Sequence, residues 1–267
     1  LKAAPLKNYG YQRHFKYLKD IQIEFPDKKD QEKIANVLST YDDLIENNTR
    51  RIKILEQTAQ AIYAEWFVNF RFPGHEKVKM IAPGTDFGEI PEGWEVKRVG
   101  EMLTKISRKY KVKKTEYGEV GDFPVVDQGH SFIGGYTSNL EAVYQELPLI
   151  VFGDHTRILK FIDFPFACGA DGTQILFSNN LRRMPMTLFF YALQNVDLSN
   201  FHYARHFKFL KEKTVLIPDP TTALFFDEHI RPCRNLIKSL QNQTLNLRRT
   251  RDLLLPKLIT GELTISN

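Results

Sequence analysis

Tyr11-Gln-Arg-His-Phe-Lys-Tyr-Leu-Lys-Asp20 returns as Tyr203-Ala-Arg-His-Phe-Lys-Phe-Leu-Lys-Glu212, with seven of ten positions identical at an offset of 192 residues. Pro26 maps onto Pro218 at the same offset. The period is far longer than that of a solenoid repeat, so it reads as a duplicated domain. Each copy leads into a stretch with helical periodicity. After Pro26 the seam positions are Ile34, Leu38, Tyr41, Ile45, Asn48, Ile52, Leu55, Ala59, Ile62 and Trp66. The offset turns them into Phe226, Ile230, Cys233, Ile237, Leu240, Thr244, Leu247, Arg251, Leu254 and Leu258. Steps of four and three alternate, which is a heptad seam.

Each helix is expected to run about 35–40 residues, or about 50–60 Å at 1.5 Å per residue. A single stripe of this kind is usually an ordinary buried helix face. Two stripes in matched register point to each other, and the domain between them makes an antiparallel coiled coil the simplest pairing. Asn48, Thr244 and Arg251 are polar seam members; they either fix the register or sit at frayed edges. Pro256 is expected to break or kink the second helix near its end.

Pro73-Gly74 and Ala82-Pro83-Gly84 mark a linker between the helices, and Gly88-Glu-Ile-Pro-Glu-Gly-Trp-Glu-Val-Lys97 opens a new domain. Strand-type runs come next at Phe123–Val126, Leu147–Phe152, Ile158–Ile162 and Gln174–Phe177, and Met186–Gln194 reads as a short helix. The expected fold class is α+β: a mixed α/β domain over 73–213, flanked by a central helix over 26–72 and a C-terminal helix over 214–267. Residues 1–25 read as the tail of a preceding domain. By the same offset, about 100 further residues are expected ahead of Leu1 in the complete protein.

With 267 residues, 42% of them hydrophobic and 26% charged, a packed core is attainable and disorder is not expected. No apolar run approaches a bilayer span and no signal peptide is visible. Cys168 and Cys233 are the only cysteines and lack metal-type spacing, which fits a reducing cytoplasm. A net charge of +5 favours a polyanionic partner weakly. There is no phosphate loop, dinucleotide fingerprint, nucleophile elbow or Asn-Pro-Pro-aromatic tetrad. Nothing local lowers the pKa of Cys168. His202 and His206 suit packing or surface roles better than metal ligation.

The basic segments are more informative. Lys97–Lys114 holds eight Lys or Arg against one Glu. Arg108, Lys109, Tyr110, Lys111, Lys113 and Lys114 form its centre, cations around an aromatic ring that suit phosphate contact. A charge run is more often a solvated face, so the segment gains weight only from its neighbours. Gln128, His130, Ser131, His155, Arg157, Arg182 and Arg183 lie in polar, Gly- and Asn-rich loops, where such side chains either reach base edges or simply make turns.

The whole order of parts resembles the specificity subunits of type I restriction–modification systems. Gly88–Lys97 is similar to the opening of a target recognition domain. Asp122-Phe-Pro-Val-Val-Asp-Gln-Gly129 with Ile133-Gly-Gly-Tyr136 is similar to a strand and loop of those domains. Asp30–Leu38 with Ala61–Phe70 resembles the central spacer helix, and Leu253–Glu262 resembles the end of the C-terminal one. The resemblance implies a non-catalytic subunit holding the second target recognition domain. It would read one half of a split site on double-stranded DNA and dock modification subunits through its helices. It binds no cofactor in that picture; S-adenosylmethionine, ATP and Mg belong to the modification and restriction subunits. A complete member has two recognition domains, so the chain is either a C-terminal portion or a half-length member that pairs with itself or another chain. Two other readings stand beside this one: a catalytic DNA-processing enzyme of unrecognised type, and a purely architectural coiled-coil scaffold.

Overall fold

The computed structural model describes residues 25–169, 172–200 and 205–265. The first copy of the repeat, and the domain tail expected around it, lie outside the described residues, as do His202, Tyr203 and Ala204. The described chain divides into two compact units. One holds the first part of helix α1 (Lys28–Phe67), up to Arg50, with the end of helix α4 (Pro220–Ile259), from Leu240. The other is Arg51–Ser239.

In the first unit the two helix segments run antiparallel. Asp30, Lys33 and Ile34 line one groove with Leu255, Leu258 and Ile259, and Arg251 Nη1 donates to Asp42 Oδ1 at 2.6 Å. Ile45, Asn48, Leu240, Thr244 and Leu258 are buried, while Ile34, Leu38, Tyr41, Leu247, Arg251 and Leu254 are half-buried. Every expected seam position of this unit therefore faces inward. Of the polar members, Asn48 and Thr244 are buried rather than frayed, and Thr244 Oγ1 bonds back into its own helix by donating to the Leu240 carbonyl. Arg251 instead ties one helix to the other through an exposed carboxylate, a pair of the kind that contributes little to stability. The chain stays helical through Pro256 to Ile259, contrary to the expected break. A proline in the last turn forfeits one backbone bond where the helix is about to end. Pro232 is accommodated in the helix interior as well.

Both helices begin with the same device. Asp27 Oδ1 accepts the N–H of Asp30, three residues on. Asp219, one repeat later, accepts from Thr221 and Thr222 N–H and from Thr222 Oγ1. Each aspartate comes after a proline that cannot continue a helix backwards, so the Pro-Asp pair both ends the preceding segment and satisfies orphan donors of the next.

The second unit is the α/β globule. Its strands are β1 (Met80–Ile81), β2 (Ile90–Pro91), β3 (Glu95–Arg98), β4 (Phe123–Val126), β5 (Gly135–Thr137), β6 (Val143–Tyr144), β7 (Leu149–Gly153), β8 (Leu159–Ile162), β9 (Phe166–Cys168), β10 (Thr173–Leu176) and β11 (Thr214–Ile217). Helices α2 (Met186–Gln194) and α3 (His206–Glu212) complete it. β7 is the middle strand of an antiparallel β10-β7-β8 sheet and is buried throughout, which is why it reads as an unbroken apolar run. A second sheet has the order β5-β4-β9-β6, with β4 and β9 parallel. Thr214–Ile217, assigned with the C-terminal helix from sequence, instead pair with Glu95–Arg98 as a two-stranded ribbon. α2 is apolar on every face and sits in the core.

The second-unit parts of α1 and α4 also pack antiparallel, and their seam is the core of the globule. Phe226 meets the rings of Tyr63, Trp66 and Phe67 from α1 and Tyr191 from α2 at centroid distances of 5.1–6.2 Å. Ala59, Trp66, Ile230 and Ile237 are buried; Ile52, Leu55, Ile62 and Cys233 are half-buried.

Candidate nucleic-acid interface

From Leu103 to Lys113 the chain forms neither helix nor a named strand. It is pinned at its ends by bridges from Leu103 to Ser178 and from Val112 to Gly169. Val112 is buried among Val125, Ala142 and Ala167 and donates its N–H to the Cys168 carbonyl. With Ile106 packed on the core and the Lys109 and Tyr110 N–H groups donating to the Tyr144 hydroxyl and the Glu141 carbonyl, it anchors the basic run. Arg108, Lys109, Tyr110, Lys111, Lys113 and Lys114 are left exposed around it. Among the described residues, no carboxylate lies within ion-pair distance of Arg108, Lys109 or Lys113. Lys111 leans inward, with Nζ 2.7 Å from the Thr173 carbonyl. Lys114 lies 4.0 Å from Asp127 and over the Tyr117 ring. The Tyr110 hydroxyl donates to Glu116, while its ring stays open to solvent. Lys97 differs from these: it is on β3 and pairs with Glu95, apart from the Leu103–Lys113 segment.

Three of the polar loops meet beside this run. Gln128, His130 and Ser131 come after β4; His155 and Arg157 lie in the β7–β8 hairpin; Gly172 precedes β10. The His155 N–H donates to Gln128 Oε1 at 3.1 Å, and Thr156 Oγ1 donates to the Gln128 carbonyl at 2.8 Å. Gly172 has φ +79°, and a Cβ there would come within 2.6 Å of Gln128 Nε2 and 2.7 Å of His155. The left-handed backbone at this close approach favours glycine. Arg157 adopts φ +61° and donates through Nη1 to the Leu198 carbonyl, its residue still exposed. His130 and Ser131 are exposed at the tip of their loop.

Arg182 and Arg183 are not part of this group. Arg182 is exposed on the turn before α2. Arg183 is withdrawn as a base reader. Its guanidinium donates to the Gly93, Ile217 and Pro218 carbonyls and pairs with Glu95, so its donors are committed to clamping the β3–β11 ribbon. Glu95 is held below the usual carboxylate range by hydrogen bonds from Lys97 and then Arg183. His206 is likewise a packing residue: it is buried, with Nδ1 2.8 Å from the Asp154 carbonyl. Burial pushes the Cys168 thiol up to about 11, which leaves it unreactive.

Two residues that sequence reasoning passes over organise the site. Asp127 is buried; its carboxylate accepts from the Gly129 N–H and from the Tyr117 hydroxyl. Lys160, inside the apolar strand β8, reaches the loop after β4 from below. Lys160 does leave a signal in the sequence: a lysine in the middle of Ile158-Leu-Lys-Phe-Ile162 has no solvent to go to.

The type I restriction modification DNA specificity domain matches residues 7–57. The MjaIX type I restriction enzyme specificity subunit of Methanocaldococcus jannaschii is 30% identical over 93% of this chain. The chain is similar to type I restriction specificity subunits along most of its length. It spans 62% of the length of that archaeal specificity subunit. The EcoR124I/EcoR124II specificity subunit of Escherichia coli is 29% identical over 42% of this chain and 29% of its own length. The crystal structure of the type I S subunit from M. genitalium shares the fold, with a TM-score of 0.57 at 20% identity over 87% of this chain and 61% of that one. Among the described residues, no cluster of side chains is arranged to hold a metal ion, and no helix is long and apolar enough to cross a membrane.

Proposed function

We propose that the chain is a non-catalytic DNA-recognition part of a cytoplasmic type I restriction–modification complex. In this reading the globule is a target recognition domain that reads one half of a bipartite site on double-stranded DNA. The long helices form a coiled-coil spacer and dock the modification subunits, which bring S-adenosylmethionine; the restriction subunit joins them with ATP and Mg. The observation that supports it is the meeting of the Gln128 and His155 loops, with Lys111 and Lys114 of the exposed basic run reaching Thr173 and Asp127 on the same elements, in a chain similar to specificity subunits. An exposed basic run and polar loop tips supply the two kinds of contact a DNA reader needs: phosphate contacts that position and base-edge contacts that specify.

The test is to map methylated bases in a genome carrying the complete complex. A split recognition sequence is expected. Inserting four residues after Asn48, which keeps the alternation of seam steps nearly intact, lengthens one arm by about 6 Å. The unread gap should then change by about one or two base pairs, at ~3.4 Å each, with both half-sites unchanged. An active insertion mutant that keeps the original gap would show that the helices hold the complex together without setting its spacing.

A further inference from the structure

Lys160 occupies the centre of β8, and only 5% of it is exposed. A buried ammonium is costly unless its donors find acceptors. Lys160 Nζ donates to the Asp127 carbonyl at 2.8 Å and to the Ser131 carbonyl at 2.6 Å. Asp127 opens the loop between β4 and β5 and Ser131 lies midway along it, so one ammonium ties together the two ends of the Asp127–Ser131 turn from beneath. The loop is held from its other sides by the Asp127 carboxylate on the Gly129 N–H and by His155 and Thr156 on Gln128. Its tip, His130 and Ser131, remains exposed. Burial lowers the pKa of Lys160 to about 8, with the Asp127 carboxylate acting the other way, so the group is mostly charged at neutral pH. An apolar residue would suit the strand better; replacing buried charges by well-packed apolar groups is often neutral or stabilising. Strand stability therefore gives no reason for a lysine at this position, whereas loop geometry does.

We propose that Lys160 is a positioning residue for sequence reading: it stays beneath the surface and fixes the Gln128–Ser131 backbone, so that the loop's side chains meet base edges in one arrangement. The proposal rests on the DNA-recognition reading above. Reading by hydrogen bonds depends on the exact placement of donors and acceptors; phosphate contacts, governed by charge count, do not. The two should therefore separate.

The experiment uses the full complex with its modification subunits, carrying Lys160→Met or Lys160→Gln. Its probes are a duplex bearing the site mapped by methylation and the same duplex with one half-site scrambled. For K160M, affinity for the scrambled duplex and its salt slope should stay as in the wild type. Preference for the mapped site should fall by roughly 10- to 100-fold, about the discrimination one or two base contacts provide. Backbone amide exchange across 127–131 should speed up. K160Q, able to donate to one carbonyl, should lie between the two and carries the test if K160M does not assemble. A variant that keeps wild-type preference, or that loses affinity for both duplexes equally, overturns the proposal. A wild-type complex that does not distinguish the two duplexes is a different failure: it overturns the DNA-recognition reading, and the proposal falls with it.

Discussion

Phe226→Ala is expected to destabilise the globule by about 3–5 kcal/mol, the usual cost of deleting a fully buried aromatic ring from a core that cannot collapse around the space. Phe226 is 0% exposed and joins both long helices to α2 through four other rings. Leu224, two residues earlier on the same helix, is 43% exposed, and its replacement by alanine should cost under about 0.5 kcal/mol. Denaturant midpoints of the two variants make the comparison. Equal losses would mean that the seam positions do not face the core as described.

The second large effect is on DNA. Neutralising Arg108, Lys109, Lys113 and Lys114 together should lower the log–log salt slope of binding by about 0.9 for each cation that touches a phosphate. If all four do, affinity near physiological salt should fall by roughly 10²–10³-fold, for cognate and non-cognate duplexes alike. Lys111 is left out because its ammonium already donates to the Thr173 carbonyl. A salt slope unchanged in the assembled complex would place this run in solvent, away from DNA.

The helices were legible because steps of three and four, sustained over ten positions, fit the turn of a helix and no strand or loop, and because the duplication supplied the same pattern twice. β7, β4 and α2 were legible from short apolar runs of the right length. The β3–β11 ribbon was not. Glu95-Val-Lys-Arg98 looks like part of a charge run, and its partner Thr214–Ile217 is more than a hundred residues away. Arg183 was misread for the same reason: it sits in a polar loop, and its partners Gly93, Glu95, Ile217 and Pro218 become neighbours only when the chain closes. Arg108, Lys109 and Lys113 stand out in the sequence as part of a charge run, but the anchoring of that run does not, because the partners of Val112, Lys109 and Tyr110 at Cys168, Tyr144 and Glu141 are distant in the chain. Gln128 and His155 could be named singly from sequence; that they meet, close to Gly172, shows only in three dimensions.

The most direct measurement is an exchange of 88–213, in the complete subunit, for the matching segment of a specificity subunit with a different recognition sequence, followed by mapping of methylated bases. One half of the split sequence should change to that of the donor, while the other half stays the same. A recognition sequence unchanged by the exchange would contradict the assignment of DNA reading to this domain.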